Sequence, residues 1–216
     1  MSKKKNKLVF GVGINDAEYS INHRITVGRV NGKQVQKELW KCPYYVKWAD
    51  MLKRCFSEKY KAKYPTYQDC TCVPEWVYFS KFRQWVDEQP NKDWQNCELD
   101  KDLLVCDNKV YGPETCVFIN KQVNYFTLSK KGQRGQFMLG VVGITPSGKY
   151  RSGCQSPFTK SRRGCDTRHA TELEAHKAWQ AKKHEYACQL ADLQEDPRVA
   201  EALRQRYAPD KDWTRA

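Results

Sequence analysis

The sequence predicts an α+β protein assembled from small units. The hydrophobic share is 40% and the mean hydropathy −0.83, low for one compact core in 216 residues, but 7 Trp, 12 Tyr and 8 Phe supply large faces for smaller ones. Apolar residues recur at period 2 in some segments and period 3.6 in others. A polar basic run, Lys130-Lys131-Gly132-Gln133-Arg134-Gly135, divides the chain where the pattern changes. The length allows one large domain or two to three small ones.

Residues 1–40 read as an N-terminal β region. Phe10 to Asp16 is a turn-rich lead-in with too few glycines in the right context for a phosphate loop. Ile25 to Val30 alternates, Asn31-Gly32 is a strong hairpin signal, and Val35 to Trp40 is the return strand. Pro43 suits the first turn of a helix. Tyr44, Trp48, Met51 and Cys55 then form an apolar stripe, with Tyr45, Leu52 and Phe56 beside it. A loop is expected from Tyr60 to Thr71. Pro74-Glu75 opens a second helix, striped by Trp76, Phe79, Phe82 and Val86 and ended by Pro90. Aromatic stripes at helical spacing face a core more often than a ligand.

From Glu98 to Asn124 the order reads strand, loop, strand, helix start, the length of a ββα unit. Glu98, Asp100 and Asp102 alternate, so a strand through all three would put the carboxylates on one face. Carboxylates and amides drawn together by a tight hairpin and a helix suit a hard cation. Beyond the linker, Phe137 to Ile144 and Lys149 to Cys154 read as strands around a Pro146-Ser147-Gly148 turn, and Thr159 to Asp166 holds a short third. Thr171-Glu172-Leu173-Glu174 is a capping box that opens a helix running to about Leu193. Three short strands and one helix make a unit near the lower size limit for a core. A short helix around Val199, Leu203 and Tyr207 ends the chain.

The net charge is +13, which favours nucleic acid or an anionic membrane face as partner. No apolar run approaches the roughly 20 residues of a membrane span, and the N-terminus lacks the apolar centre of a signal peptide. An intracellular location is expected. The charge is uneven. Residues 41–128 are close to neutral at +1, whereas residues 129–189 hold 12 basic against 4 acidic groups. That contrast suits a metal site beside a module that holds phosphates. The 10 cysteines include no CxxC pair, and Cys70-Thr71-Cys72 is too tight for the usual zinc spacing, so they read mainly as reduced, apolar thiols.

Several runs are more specific. Tyr45-x-x-Trp48-x-x-Met51-Leu52-x-Arg54-Cys55, Glu75-Trp76-x-x-Phe79-x-x-Phe82, Leu99-Asp100-Lys101-Asp102, Tyr111-Gly112-Pro113-Glu114-Thr115-Cys116 and Asn124 together resemble the phage-type HNH (His-Me finger) homing endonucleases. Gly140-Val141, Gly148-Lys149-Tyr150-Arg151 and Thr171-x-x-Glu174-Ala175-His176-x-Ala178-Trp179 resemble the APETALA-type DNA-binding domain, which often follows an HNH core in phage proteins. The resemblance covers about residues 41–190. It implies five segments: the β region 1–40, a ββα-metal nuclease core flanked by helices at 41–128, the linker 129–135, an APETALA-type domain at 136–194 with a three-stranded antiparallel sheet packed on one helix, and a C-terminal helix and tail at 195–216.

The implied activity is hydrolysis of phosphodiester bonds in double-stranded DNA with one divalent ion, Mg2+ by preference. Asp100 stands where the family's His base is expected, and a carboxylate is a poor base near neutral pH unless its environment is altered. The resemblance makes Asp100 a metal ligand or base and Asn124 a metal ligand, counts Asp102 with them as catalytic, and gives Asp102 and Thr115 supporting or alternative ligand roles. Lys101 would contact phosphate. Arg134, Lys149, Tyr150, Arg151, Arg162 and Arg163 would bind DNA, Arg reading guanine and Lys holding phosphate. The departures at Asp100 and Thr115 keep a second expectation open, a catalytically inactive DNA-binding protein on the same scaffold.

Overall fold

A computed structural model describes residues 7–128, 136–159 and 165–213. The chain is α+β with several small sheets and divides into two compact units, residues 1–118 and 119–216.

The first unit opens with a tight reversal in which Val9 and Gly13 exchange backbone hydrogen bonds of 2.9 and 2.8 Å. Phe10 and Gly11 turn it with φ of 50° and 83°. Strands β1 (Asn22–Val30) and β2 (Lys33–Lys41) form an antiparallel ribbon around Asn31 and Gly32, both at positive φ, as the hairpin signal requires. Helix α1 (Pro43–Phe56) starts on its proline and buries Trp48, Met51, Leu52 and Cys55.

The expected loop from Tyr60 to Thr71 is partly helical. Ser57 caps a short α2 (Glu58–Lys63), followed by a 3-10 turn at Pro65–Tyr67 and strand β3 (Thr71–Cys72). The single helix expected from Pro74 is broken. Pro74–Val77 is a 3-10 turn, Tyr78 is extended, and α3 (Phe79–Asp87) begins after it. The cause lies far away in sequence. Ile14 donates its N–H to the Val77 carbonyl at 2.8 Å and accepts from the Phe79 N–H at 3.0 Å, drawing Tyr78 into an extended bridge.

The aromatic stripes face the core. Trp48 packs on Phe79 and donates its indole N–H to the Trp76 carbonyl at 2.7 Å, while Trp76, Phe82, Trp85, Trp94 and Phe118 continue the cluster. Strand β4 (Glu98–Asp100) pairs with β6 (Val117–Ile119), and β5 (Val110–Tyr111) runs parallel to β3. The expected strand through Asp102 ends at Asp100, so the three carboxylates do not share a strand face.

In the second unit, α4 (Lys121–Thr127) is capped by Asn120. Strands β7 (Val141–Ile144), β8 (Tyr150–Cys154) and β9 (Cys165–His169) form an antiparallel sheet in that order. The first is shorter than expected at its start, because Leu139 and Gly140 turn. The third lies later than Thr159–Asp166, since Cys165 pairs with Cys154. Helix α5 (Glu172–Ala191) carries the capping box at Thr171 and Glu174 and packs against β8 and β9. Trp179 lies directly over Gly140, where a Cβ would meet the indole at 1.9 Å. Helix α6 (Pro197–Arg206) lies along α5, burying Val199, Ala200 and Leu203. Among the described residues, no helix is long and apolar enough to cross a membrane.

Candidate active site and nucleic-acid interface

Around β4 the backbone turns on a single carboxylate. Asp100 is half-buried at the strand end, and its Oδ1 accepts the N–H groups of Asp102 and Leu103 at 2.9 and 2.7 Å. This Asx-type turn takes Asp102 off the strand. The Asp102 side chain is half-exposed and pairs with the Lys101 ammonium. Lys101 itself is buried at 5% exposure, donates to the Asn108 carbonyl at 2.6 Å, and stands over the Tyr111 ring. Its charge is thus committed inside the loop, not at the surface where a phosphate would meet it. Thr115 likewise donates its hydroxyl to the Val110 carbonyl at 2.7 Å, closing the turn after β5.

Two residues that sequence reasoning left without a role organise this region. Asn108 donates to the Lys101 and Val110 carbonyls at 2.9 and 2.7 Å and accepts the Val110 N–H at 3.1 Å, bracing both ends of the loop. Arg54 pairs with Asp50 at 2.6 Å and donates to the Leu99 carbonyl at 3.3 Å, beside Asp100 in sequence. Burial opposes the Arg54 charge, but Tyr111, Asp50 and Tyr67 outweigh it and raise its pKa. Burial opposes the Asp50 charge too, yet Arg54 and Lys53 hold that carboxyl below its usual range. Arg54, Asp50, Glu98 and Leu99 line a cavity of about 210 Å³ that Lys47 also reaches.

Asn124 lies half-buried on α4. The helix is held at its C-terminal end by two cations: Lys183 donates to the Phe126 carbonyl at 2.7 Å and Arg206 to the Thr127 carbonyl at 3.3 Å. Cations at a helix C-terminus satisfy orphan carbonyls and oppose the dipole. Lys183 also stands 3.5 Å over the Phe126 ring centre.

The three-stranded sheet separates its residues by alternation. Ser152 and Cys154 on β8 are buried on the side of α5, and Tyr150 shares that parity, its ring edge-on to Phe137 at 6.2 Å. Tyr150 is half-buried and lies by parity on the helix side of the sheet. Arg151 has the opposite parity and is paired across the sheet with Arg168 of β9, which is exposed. Arg168 escaped the sequence reading because the third strand was set too early; correct strand placement would have revealed it by alternation. Lys149 is exposed at the entry to β8. Arg134, Arg162 and Arg163 lie outside the described residues.

Comparison with protein-family models, with curated proteins and with solved structures returned no match.

Proposed function

We propose that the protein is a DNA endonuclease of the HNH type, which hydrolyses phosphodiester bonds with one divalent cation and is held on double-stranded DNA by its small three-stranded sheet. The observation that supports this reading is the pairing of β4 with β6, with Asp100 closing β4. Two N–H groups fix the Asp100 carboxylate, as outer hydrogen bonds commonly hold ligating carboxylates. Carboxylate oxygens are hard donors that fit Mg2+, so the residue present suits the ion the reading requires. Asp100 would hold the cation. Mg2+ bound there supplies Lewis-acid stabilisation of a phosphate and its leaving oxygen. Arg151 and Arg168, neighbours on the sheet face turned away from α5, offer the planar donors that suit phosphate and guanine.

A non-catalytic DNA-binding protein is the second reading. It is favoured by the departures from the family's pattern: Asp100 stands where the His base is expected, and the Thr115 hydroxyl is spent on the Val110 carbonyl. Nicking of supercoiled plasmid with Mg2+ or Mn2+, run beside duplex binding, separates the two. The enzyme reading expects wild-type nicking that falls by more than about a hundredfold in Asp100→Ala and Asp100→Asn. Inactive wild-type protein that still binds duplex with a steep salt dependence would move the conclusion to the second reading.

A further inference from the structure

The β1–β2 ribbon has no core of its own. Nearly every residue of both strands is exposed, on both faces. A lone two-stranded hairpin is marginally stable in water, so nine residues per strand are more than a simple connection needs.

The register sorts its side chains. Arg24 pairs with Glu38, Thr26 with Gln36 and Arg29 with Gln34, so guanidinium, amide and hydroxyl groups share one face. Ile25 pairs with Lys37 and Val30 with Lys33 on the other. Counting both strands, Arg24, Arg29, Lys33, Lys37 and Lys41 stand against Glu38 alone.

We propose that this ribbon is a second DNA-contacting element, lying in the major groove of duplex DNA with its Arg24–Thr26–Arg29–Gln34–Gln36 face toward the base edges. The inference rests on the DNA-binding part of the proposed function and adds a contact surface to it. The major groove, about 12 Å wide, admits a two-stranded ribbon. Nine residues at about 3.3 Å each extend for about 30 Å, within one turn of duplex at about 34 Å. Arg, Gln and Thr are side chains that hydrogen-bond base edges, while Lys33 and Lys37, on the opposite face, would reach on their long stems past the ribbon's edges to the phosphates that flank the groove. The charge argues against a second copy of the chain on this ribbon, because edge pairing of copies would bring Lys33 and Lys37 together.

The test uses the full chain and a mixed-sequence duplex several turns long, with affinity measured across a salt series. The triple variant Arg29→Ala, Lys33→Ala, Lys37→Ala removes charge from exposed positions and leaves the Arg24–Glu38 pair intact. Each lost phosphate contact lowers the slope of log K against log salt by about 0.9, so the triple variant should lower it by about 2 to 3 and weaken binding on the order of a hundredfold at about 0.15 M salt. Wild-type guanine N7 atoms should also be protected from methylation over a stretch that shortens in the variant. A triple variant with wild-type slope and affinity, while Arg151→Ala with Arg168→Ala loses both, overturns the ribbon proposal and leaves DNA binding standing. Wild-type protein without salt-dependent duplex binding overturns the proposed function together with the ribbon. A wild-type dimer that Val30→Asp dissociates, with the salt slope unchanged in the triple variant, overturns the DNA assignment of this surface in favour of a second copy.

Discussion

Lys183 gives a pH dependence that can be measured. Its ammonium is buried against the Phe126 ring and carbonyl, close to Arg206, and burial pushes its pKa down from 10.5 to about 8. A lysine with a folded pKa below its unfolded one binds fewer protons when folded, so its contribution to stability is full above about 10.5 and is lost as pH falls through about 8. The gap from 10.5 to about 8 corresponds to about 3 kcal/mol, of which about 2.5 kcal/mol is recovered between pH 7 and 10. Lys183→Met keeps the apolar stem and removes the titration, at the loss of the hydrogen bond to Phe126, worth about 1–3 kcal/mol if that carbonyl stays unpaired. The buried Cys116 thiol, which burial raises to about 12, titrates in both proteins and cancels in the comparison. Urea unfolding of both proteins at several pH values is the assay. The stability of wild type relative to Lys183→Met should rise by about 2.5 kcal/mol from pH 7 to 10. Parallel curves would refute the claim that this ammonium is desolvated at the end of α4.

Two further changes test the packing. In Gly13→Ala the new Cβ would meet Leu52 Cδ1 at 2.3 Å and the Trp48 ring at 3.0 Å, so a thermal melt should show a loss of about 1–3 kcal/mol from overpacking. Thr171→Ala removes the acceptor of the Glu174 N–H at the start of α5 and should lower urea stability by about 1 kcal/mol, with little change in Thr171→Ser.

Local signals with a strong steric or periodic basis were legible in the sequence. Asn31-Gly32 gave the ribbon its turn, Pro43 and the Trp48–Met51–Cys55 stripe gave α1, and Thr171 with Glu174 gave α5 its start. What escaped depends on partners distant in sequence or on side-chain bonding. The break at Tyr78 is made by Ile14, and no local feature of Pro74 to Val86 encodes it. Helix α2 buries nothing, so it has no apolar stripe, although Ser57 and Glu58 are good first-turn residues. The grouping of α4 with the second unit follows from Phe126, which packs edge-on to Tyr207 and beneath Lys183; the sequence pattern had joined it to the strands before it. On the sheet, an early placement of β9 hid Arg168, and strand alternation puts Tyr150 at the same parity as the buried Ser152.

Alternation in Glu98, Asp100 and Asp102 suggested three equivalent carboxylates, yet the fold gives Asp100 and Asp102 separate tasks. Asp102 neutralises a buried lysine, so its loss would strand the Lys101 charge and destabilise the loop whatever its role in chemistry. Asp100 accepts two backbone N–H groups, so Asp100→Ala removes both a charge and the acceptor that shapes the turn, and an inactive Ala variant could simply have a misshapen loop. Asp100→Asn separates the effects. The amide oxygen can still accept the Asp102 and Leu103 N–H groups, while the negative charge that would hold a cation is gone. Asp100→Ala should therefore lose about 1–3 kcal/mol of urea stability for the unsatisfied turn, and Asp100→Asn less than about 1 kcal/mol. If the carboxylate serves a cation, nicking falls in both variants despite that difference in stability. Nicking that tracks stability, lost in Ala and retained in Asn, would make Asp100 a turn-forming residue only and remove it from the proposed chemistry.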